Sequence, residues 1–251
     1  MIYICIPSYD EGPTVGLVLW KIRKVFEEFP REYQLLVVDD GSSDGTPEIL
    51  EPYSRVLPLT VVRHTRRQGY ARTVVELLES ALSRSDRPKR DSAILMHADF
   101  SHGPEYLPEF VRRLESGADM VIGEATLQGE PSRPRRMVRR WAPFLLRRAV
   151  RVAGVSDTVS GFAAFRLRTL REVLPAAGSG ALSGEGWAAN AELIGRAARN
   201  ARRVETIRVV ERHDLRSRAS RIRPWPVLRE LWRAGKEIRL GEVSGMTEGA
   251  A

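Results

Sequence analysis

Short apolar runs alternate along this chain with longer stretches whose apolar residues recur at helical spacing. Ile2–Ile6 is the first run, ended by Pro7, and reads as a buried strand. Thr14 is the expected cap of a helix starting near Val15, with Val18, Leu19, Ile22, Val25 and Phe26 close to one helical face. Gln34–Val38 predicts a second strand, stopped by the dense turn signal Asp39-Asp40-Gly41-Ser42-Ser43-Asp44-Gly45. A helix is expected from Pro47, since proline costs little in a first turn. The pattern continues with a strand at Leu59–Arg63, a helix at Gly69–Ser83 and a strand at Ala93–Met96. A helix near Glu105–Glu115 and a strand at Met120–Ile122 complete this half.

Strands alternating with helices predict a mostly parallel sheet covered by helices on both faces, an α/β fold. In such sheets ligands bind beyond the carboxyl ends of the strands. Tyr9–Glu11, Asp39–Asp44 and His97–His102 each directly follow an apolar strand, so all three should line one edge. After Gly123 the pattern changes. An arginine-rich helix is expected from about Arg135 to Val152, then the segment Asp157–Arg166, a helix near Glu185–Asn200, a strand around Arg203–Val210 and a helix at Val227–Leu240. With no convincing linker, residues 1–240 read as one domain whose halves meet near 123. Residues 241–251, rich in Gly, Ser and Ala, read as a loose tail.

Composition changes this picture in one respect. With 43% apolar and 29% charged residues the chain is globular in type, and 251 residues suffice for a substantial core. The formal charge of +8, however, points to an anionic partner: nucleic acid, anionic lipid or a phosphorylated substrate. Arg133, Arg135, Arg136, Arg139, Arg140, Arg147, Arg148 and Arg151 lie in one stretch without an acid, and a second basic stretch runs from Arg212 to Arg239. A solvated arginine-rich surface is the competing explanation. No recognition motif for nucleic acid accompanies the arginines, so that partner is not expected. Cys5 is the single cysteine, which excludes an internal disulfide and fits a reducing compartment. The N-terminal residues lack the pattern of a signal peptide, and no apolar run reaches the ~18 residues of a membrane span. A cytoplasmic protein, soluble or peripheral on the cytoplasmic membrane face, is therefore expected.

Two strand ends carry candidate chemistry. Ionised Asp39 and Asp40 only accept hydrogen bonds, which suits ribose hydroxyls, a base N–H or a metal; an ordinary acidic turn has the same composition. His97 and Asp99 fall on the same side of an extended tripeptide and can converge on one ion. Imidazole with carboxylate suits Mn²⁺, whereas Mg²⁺ prefers oxygen ligands. A polar strand end satisfied by the protein is again the alternative.

Four ordered stretches resemble glycosyltransferase family 2, and within it the polyprenol- and dolichol-phosphate sugar transferases. Ile6-Pro7-Ser8-Tyr9-Asp10-Glu11 resembles P-x-Y-[ND]-E. Val37-Val38-Asp39-Asp40-Gly41-Ser42-Ser43-Asp44-Gly45-Thr46 is similar to V-D-D-G-S-x-D-G-T. His97-Ala98-Asp99-Phe100-Ser101-His102-Gly103-Pro104-Glu105 resembles D-A-D-L-S-H-P-P-E, and Ser160-Gly161-Phe162-Ala163-Ala164-Phe165-Arg166 resembles S-G-F-R-A-[FY]-R. The resemblance covers roughly the first 220 residues and implies the GT-A type nucleotide-diphospho-sugar transferase fold. It implies a nucleotide-binding half at 1–123 and an acceptor- and membrane-facing half at 124–240.

The resemblance further implies roles. Pro7, Tyr9, Glu11, Asp39, Asp40, Gly69 and Ala98 would lie at the nucleotide. Asp99, with His97, would hold a divalent Mn²⁺ or Mg²⁺, Mn²⁺ being favoured by the imidazole. Asp99, Arg166 and Arg218 would serve catalysis at the diphosphate, and Ser160, Arg133, Arg135 and Arg221 the acceptor or its phosphate. The implied reaction is an inverting transfer of a hexose from a GDP- or UDP-sugar to a polyprenyl phosphate. A soluble small-molecule acceptor, or a catalytically degenerate nucleotide-binding member, are the alternatives. Three departures bear on this: His97 replaces the first Asp of D-x-D, Ala163 replaces an Arg suited to phosphate, and Glu124-Ala125 stand where Ser-Arg is common. Finally, Met137, Trp141, Phe144, Leu145 and Arg148 follow helical spacing, which reads as a basic amphipathic helix in a lipid interface or as a helix packed on the core.

Overall fold

The strands are built from the near-continuous Val, Ile and Leu runs that parallel sheets buried on both faces require. In the computed structural model, which describes residues 1–128, 133–146, 150, 152–174, 182–212 and 224–247, β1 (Ile2–Ser8) is buried along its whole length. It pairs in parallel with β2 (Tyr33–Asp39) on one side and β4 (Ser92–Leu95) on the other, and β2 pairs in parallel with β3 (Leu59–Arg63). β5 (Met120–Gln128) and β7 (Val204–Arg212) are parallel to each other, while β6 (Ala163–Arg166) runs antiparallel to both β4 and β5. The seven strands have the order β3-β2-β1-β4-β6-β5-β7. The mostly parallel sheet is as expected; the reversed β6 was not foreseen.

Helices cover both faces. One core gathers α3 (Tyr70–Arg84), α6 (Leu167–Val173) and α7 (Trp187–Asn200) against Cys5, Leu36, Leu95 and Phe165. The other gathers α1 (Gly12–Glu28) and α4 (Leu107–Glu115) against Ile4, Val37, Ile94 and Phe162, with Leu50 from α2 (Thr46–Val56). Side chains alternating above and below the sheet feed these two cores in turn, each large apolar group contributing about 1.5–3 kcal/mol on burial.

Several boundaries differ from expectation. α1 begins at Gly12, because Thr14 lies inside its first turn and bonds back to the Glu11 carbonyl at 3.2 Å. β5 continues past Ile122 to Gln128, since β7 lies beside it in register through Gln128↔Arg212. A 3-10 turn at Pro104–Tyr106 precedes α4. The arginine-rich helix α5 spans Arg133–Leu146, and α8 spans Pro224–Thr247, running past Leu240. A third cluster joins these two helices through Val138, Ala142, Leu146 and Leu231.

Candidate active site

The loops after β1 and β2 are tied to each other at the carboxyl rim of the sheet. Asp10, at φ 51, donates its N–H to Ser42 Oγ at 2.8 Å and accepts from Ser43 N at 2.9 Å. Aspartate is among the few residues that visit this left-handed backbone, and here its carboxylate holds Ser43 of the neighbouring loop. Gly12 N donates to Asp44 Oδ2 at 3.0 Å, and Glu11 N to Thr46 Oγ1 at 2.9 Å. The Glu11 carboxylate is buried and accepts from Thr14 Oγ1 at 3.2 Å, which braces the start of α1. Pro7 is buried in β1 opposite Val38.

Ser8 and Asp39 are register partners at these strand ends. Asp39 Oδ1 accepts from the Ser42 amide at 3.1 Å and from the Ser42 hydroxyl. Asp39 Oδ2 and Ser8 Oγ are both buried without a hydrogen-bond partner, although Arg63 Nε lies 3.5 Å from the former. Buried polar atoms left unpaired cost free energy, so such a pair at a rim fits a polar ligand. Asp40 is differently used. Its Oδ1 meets His64 Nδ1 at 2.8 Å and accepts from Gln68 N at 2.6 Å, and its Oδ2 accepts from Gly69 N at 2.9 Å. The carboxylate expected at the nucleotide thus anchors the loop before α3. That loop carries Arg67, whose guanidinium lies 4.3 Å over the Tyr9 ring, a cation–π contact. Gly69 has φ 101, a backbone that favours glycine, and the Glu185 carboxylate lies against the place a Cβ would take.

The β4 end lies beside this loop. Tyr70 stacks on His97 with centroids 5.7 Å apart, His97 on His102 at 6.0 Å, and His102 meets Phe162 at 5.2 Å. A Cβ at Gly161 would collide with His97 Nε2, so the imidazole owes its position to that glycine. Burial raises the Tyr70 phenol far above its usual pKa, with the charges of Asp99 and Glu185 acting in the same direction. Asp99 is nine-tenths buried and accepts from Ser101 N at 3.0 Å, while Ala98 is buried between the two polar residues. The contacts therefore run from Asp40 through Gly69 and Tyr70 to His97, and the expected convergence on one rim holds. Among the described residues no group of three His, Cys, Asp or Glu is placed to hold a metal. Asp99 and His97 both stand at the end of β4, a carboxylate and an imidazole two residues apart on this rim.

On the far side of His97 a cleft continues past Ser160 and Gly161 to Arg139, Asp157 and Glu211. It opens into a cavity of about 160 Å³ lined by Glu124, Ala125, Ser156 and Thr158. Arg139 bridges the buried Glu211 and Asp157, and burial raises the Asp157 carboxyl even against the pull of Arg139. Ser160 Oγ is committed to the Gly123 carbonyl at 2.7 Å. Arg133 is exposed on α5; the Arg135 side chain, Arg218 and Arg221 lie outside the described residues.

Arg166 corrects the expectation. Because β6 runs antiparallel to β4, Arg166 falls beside Ser92, at the opposite end of the sheet from His97. Its guanidinium donates to the carbonyls of Arg90 at 2.8 Å, Leu114, and Ala118 at 3.3 Å, and it is withdrawn from the catalytic set. Conversely, His64, Arg67, Glu185, Arg139 and Asp157 were not anticipated. They occupy loops or helix faces without a motif, and only the tertiary structure brings them to the rim.

The mostly parallel sheet with its polar strand ends on one rim is a fold of the GT-A type. Residues 3–174 match the family model described as Glycosyl transferase family 2, and the chain belongs to that family. It is similar to a dolichol-phosphate mannosyltransferase of Pyrococcus furiosus, 27% identical over 175 residues, covering 68% of this chain and 47% of the relative. The chain thus spans about half the length of that protein. An undecaprenyl-phosphate mannosyltransferase of Micrococcus luteus is 29% identical over 204 residues, covering 79% of this chain and 78% of the relative. Among solved structures, glucosyl-3-phosphoglycerate synthase of Mycobacterium tuberculosis, in complex with Mn²⁺, UDP and glucosyl-3-phosphoglycerate, aligns with a TM-score of 0.61 at 19% identity. That alignment covers 96% of this chain and 79% of the synthase, a likeness of fold.

Proposed function

We propose that this enzyme transfers a hexose, with inversion, from a GDP- or UDP-sugar to a polyprenyl phosphate. The observation that carries the proposal is the contact path from Asp40 through Gly69 and Tyr70 to His97, which puts the three polar strand ends on one rim. Tyr9 with Arg67, and Ser8 Oγ and Asp39 Oδ2, which lack hydrogen-bond partners, are the groups to receive base and ribose. Asp99 and His97 would hold a divalent Mn²⁺ or Mg²⁺, which when bound supplies positive charge to a departing diphosphate. Inversion requires the acceptor oxygen to attack opposite the leaving group, and the cleft beyond His97 would be its approach. A lipid phosphate is already anionic and needs no base for this attack. The names of the mannosyltransferase relatives support a polyprenyl-phosphate acceptor.

Peripheral attachment to an anionic membrane belongs to the same proposal. No helix among the described residues is long and apolar enough to cross a membrane. Instead α5 and α8 expose Trp141, Phe144, Trp225 and Trp232, with exposed Arg133, Arg136 and Arg140 on α5. Aromatic side chains among arginines suit a lipid headgroup boundary.

A second reading, a soluble acceptor, is favoured by one observation. The cleft beyond His97 presents Asp157, Glu211 and Glu124 against Arg139 among its described residues, an acidic surface for a phosphate to enter. Incubation with GDP-[14C]mannose or UDP-[14C]glucose and either decaprenyl phosphate or water-soluble acceptors separates the two. Label extracted into organic solvent is expected; label in a new water-soluble product distinct from the donor, with none in the organic phase, replaces the first reading with the second.

A further inference from the structure

The His64 imidazole lies buried between two carboxylates. Nδ1 is 2.8 Å from Asp40 Oδ1 and Nε2 is 2.9 Å from Glu76 Oε2. A neutral imidazole has one N–H and one lone pair, so it would turn a lone pair toward one of these carboxylates. Only the imidazolium donates to both. Asp40 in turn holds the Gln68 and Gly69 amides, and the residues flanking them form a wall of the rim: Arg67 over Tyr9, and Tyr70 against His97. One carboxylate therefore sets the course of a rim loop, and its own orientation depends on His64.

We propose that His64, clamped between Asp40 and Glu76, is a positioning residue whose protonated form holds the 67–70 loop in the shape that binds the sugar nucleotide. This rests on the rim being the donor site. The charged groups around the pair are accounted for: Asp40 faces His64 from the end of β2 and Glu76 from α3. Arg67 Nε is 3.9 Å from Asp40 Oδ2, Arg63 leans toward Asp39 at 3.5 Å, and Glu185 reaches Ala71 N at 3.2 Å from beyond Gly69. Burial alone pulls the His64 pKa down, but the hydrogen bonds to Asp40 and Glu76 more than reverse this and leave it above 6.5. The clamp is thus complete below pH 6.5 and opens as pH rises through the raised value. Deprotonation leaves Asp40 or Glu76 facing a lone pair, and the loop loses its fixed anchor.

The test is calorimetric titration of UDP-glucose and GDP-mannose, with Mg²⁺, into wild type, His64→Asn and Glu76→Gln between pH 6 and 8.5. The diphosphate of these donors carries no proton in that range. Wild-type affinity should fall about tenfold through one titration, the scale of one charge-assisted hydrogen bond. In His64→Asn the amide can reach Asp40 from the place of Nδ1 but does not titrate, so binding should persist with a flat profile. Glu76→Gln removes a charge that stabilises the imidazolium, so the midpoint should move to lower pH. A flat wild-type profile, the same transition in His64→Asn, or an unmoved midpoint in Glu76→Gln would each overturn the inference. Glu76 is only partly buried, so its variant carries the test should His64→Asn fail to fold. Absence of binding by the wild type at every pH would instead overturn the reading of the rim as a donor site.

Discussion

At the scale of single residues, the rim keeps polar atoms in a state that does not favour folding. Ser8 Oγ is buried without a hydrogen-bond partner, and so is Oδ2 of its register partner Asp39. A hydroxyl that serves only the bound state should leave opposite marks on stability and affinity. Ser8→Ala removes an unsatisfied group and should raise the stability of the free enzyme by about 1 kcal/mol while weakening donor binding about three- to tenfold. Thermal unfolding and donor titration on the same sample read both effects. A fall in stability with unchanged binding would assign Ser8 to packing alone. The contrast with Asp40 is instructive: adjacent in sequence to Asp39 and alike in type, it spends its oxygens on His64, Gln68 and Gly69. No reading of an Asp-Asp pair distinguishes the two, because the distinction is made by a loop that starts more than twenty residues later.

At the scale of elements, α5 shows which part of a pattern is legible. Helical spacing at Met137, Trp141 and Phe144 predicts an apolar stripe, and the helix exists, but the seam it buries is Val138, Ala142 and Leu146, packed on Leu231 of α8. Trp141 and Phe144 remain exposed, their rings edge to face at 6.1 Å. Periodicity marks a helix; which face is covered depends on the partner, here a helix some ninety residues away. Parallel strands were readable because burial on both faces leaves continuous apolar runs, as in β1 and β2. β6 is four residues long and its direction is invisible locally, so the resemblance of Ser160–Arg166 to a family motif could not show that Arg166 lies at the far end of the sheet. The exposed pair on α5 has its own consequence. The double variant Trp141→Glu, Phe144→Glu should change unfolding free energy by no more than about 0.5 kcal/mol per site, as surface substitutions do. It should nevertheless abolish cosedimentation with phosphatidylglycerol vesicles. Sedimentation equal to wild type would remove α5 from the membrane contact.

At the scale of the whole molecule, function follows from where a parallel sheet ends its strands. β1, β2 and β4 run the same way, so the polar residues after each meet at one rim, and α3 closes it with Gly69 and Tyr70. The opposite end of the sheet offers a competing site: a cavity lined by Arg31, Arg90 and Arg166, although Glu32 and Glu115 line it too and Glu115 pairs with Arg31. The most direct measurement is a crystal structure of the protein soaked with UDP or GDP and Mn²⁺. The account predicts a nucleotide with its base and ribose between Tyr9 and Asp39 and its diphosphate, with the ion, at Asp99. Nucleotide at Arg31, Arg90 and Arg166, with the Asp99 rim empty, would contradict it.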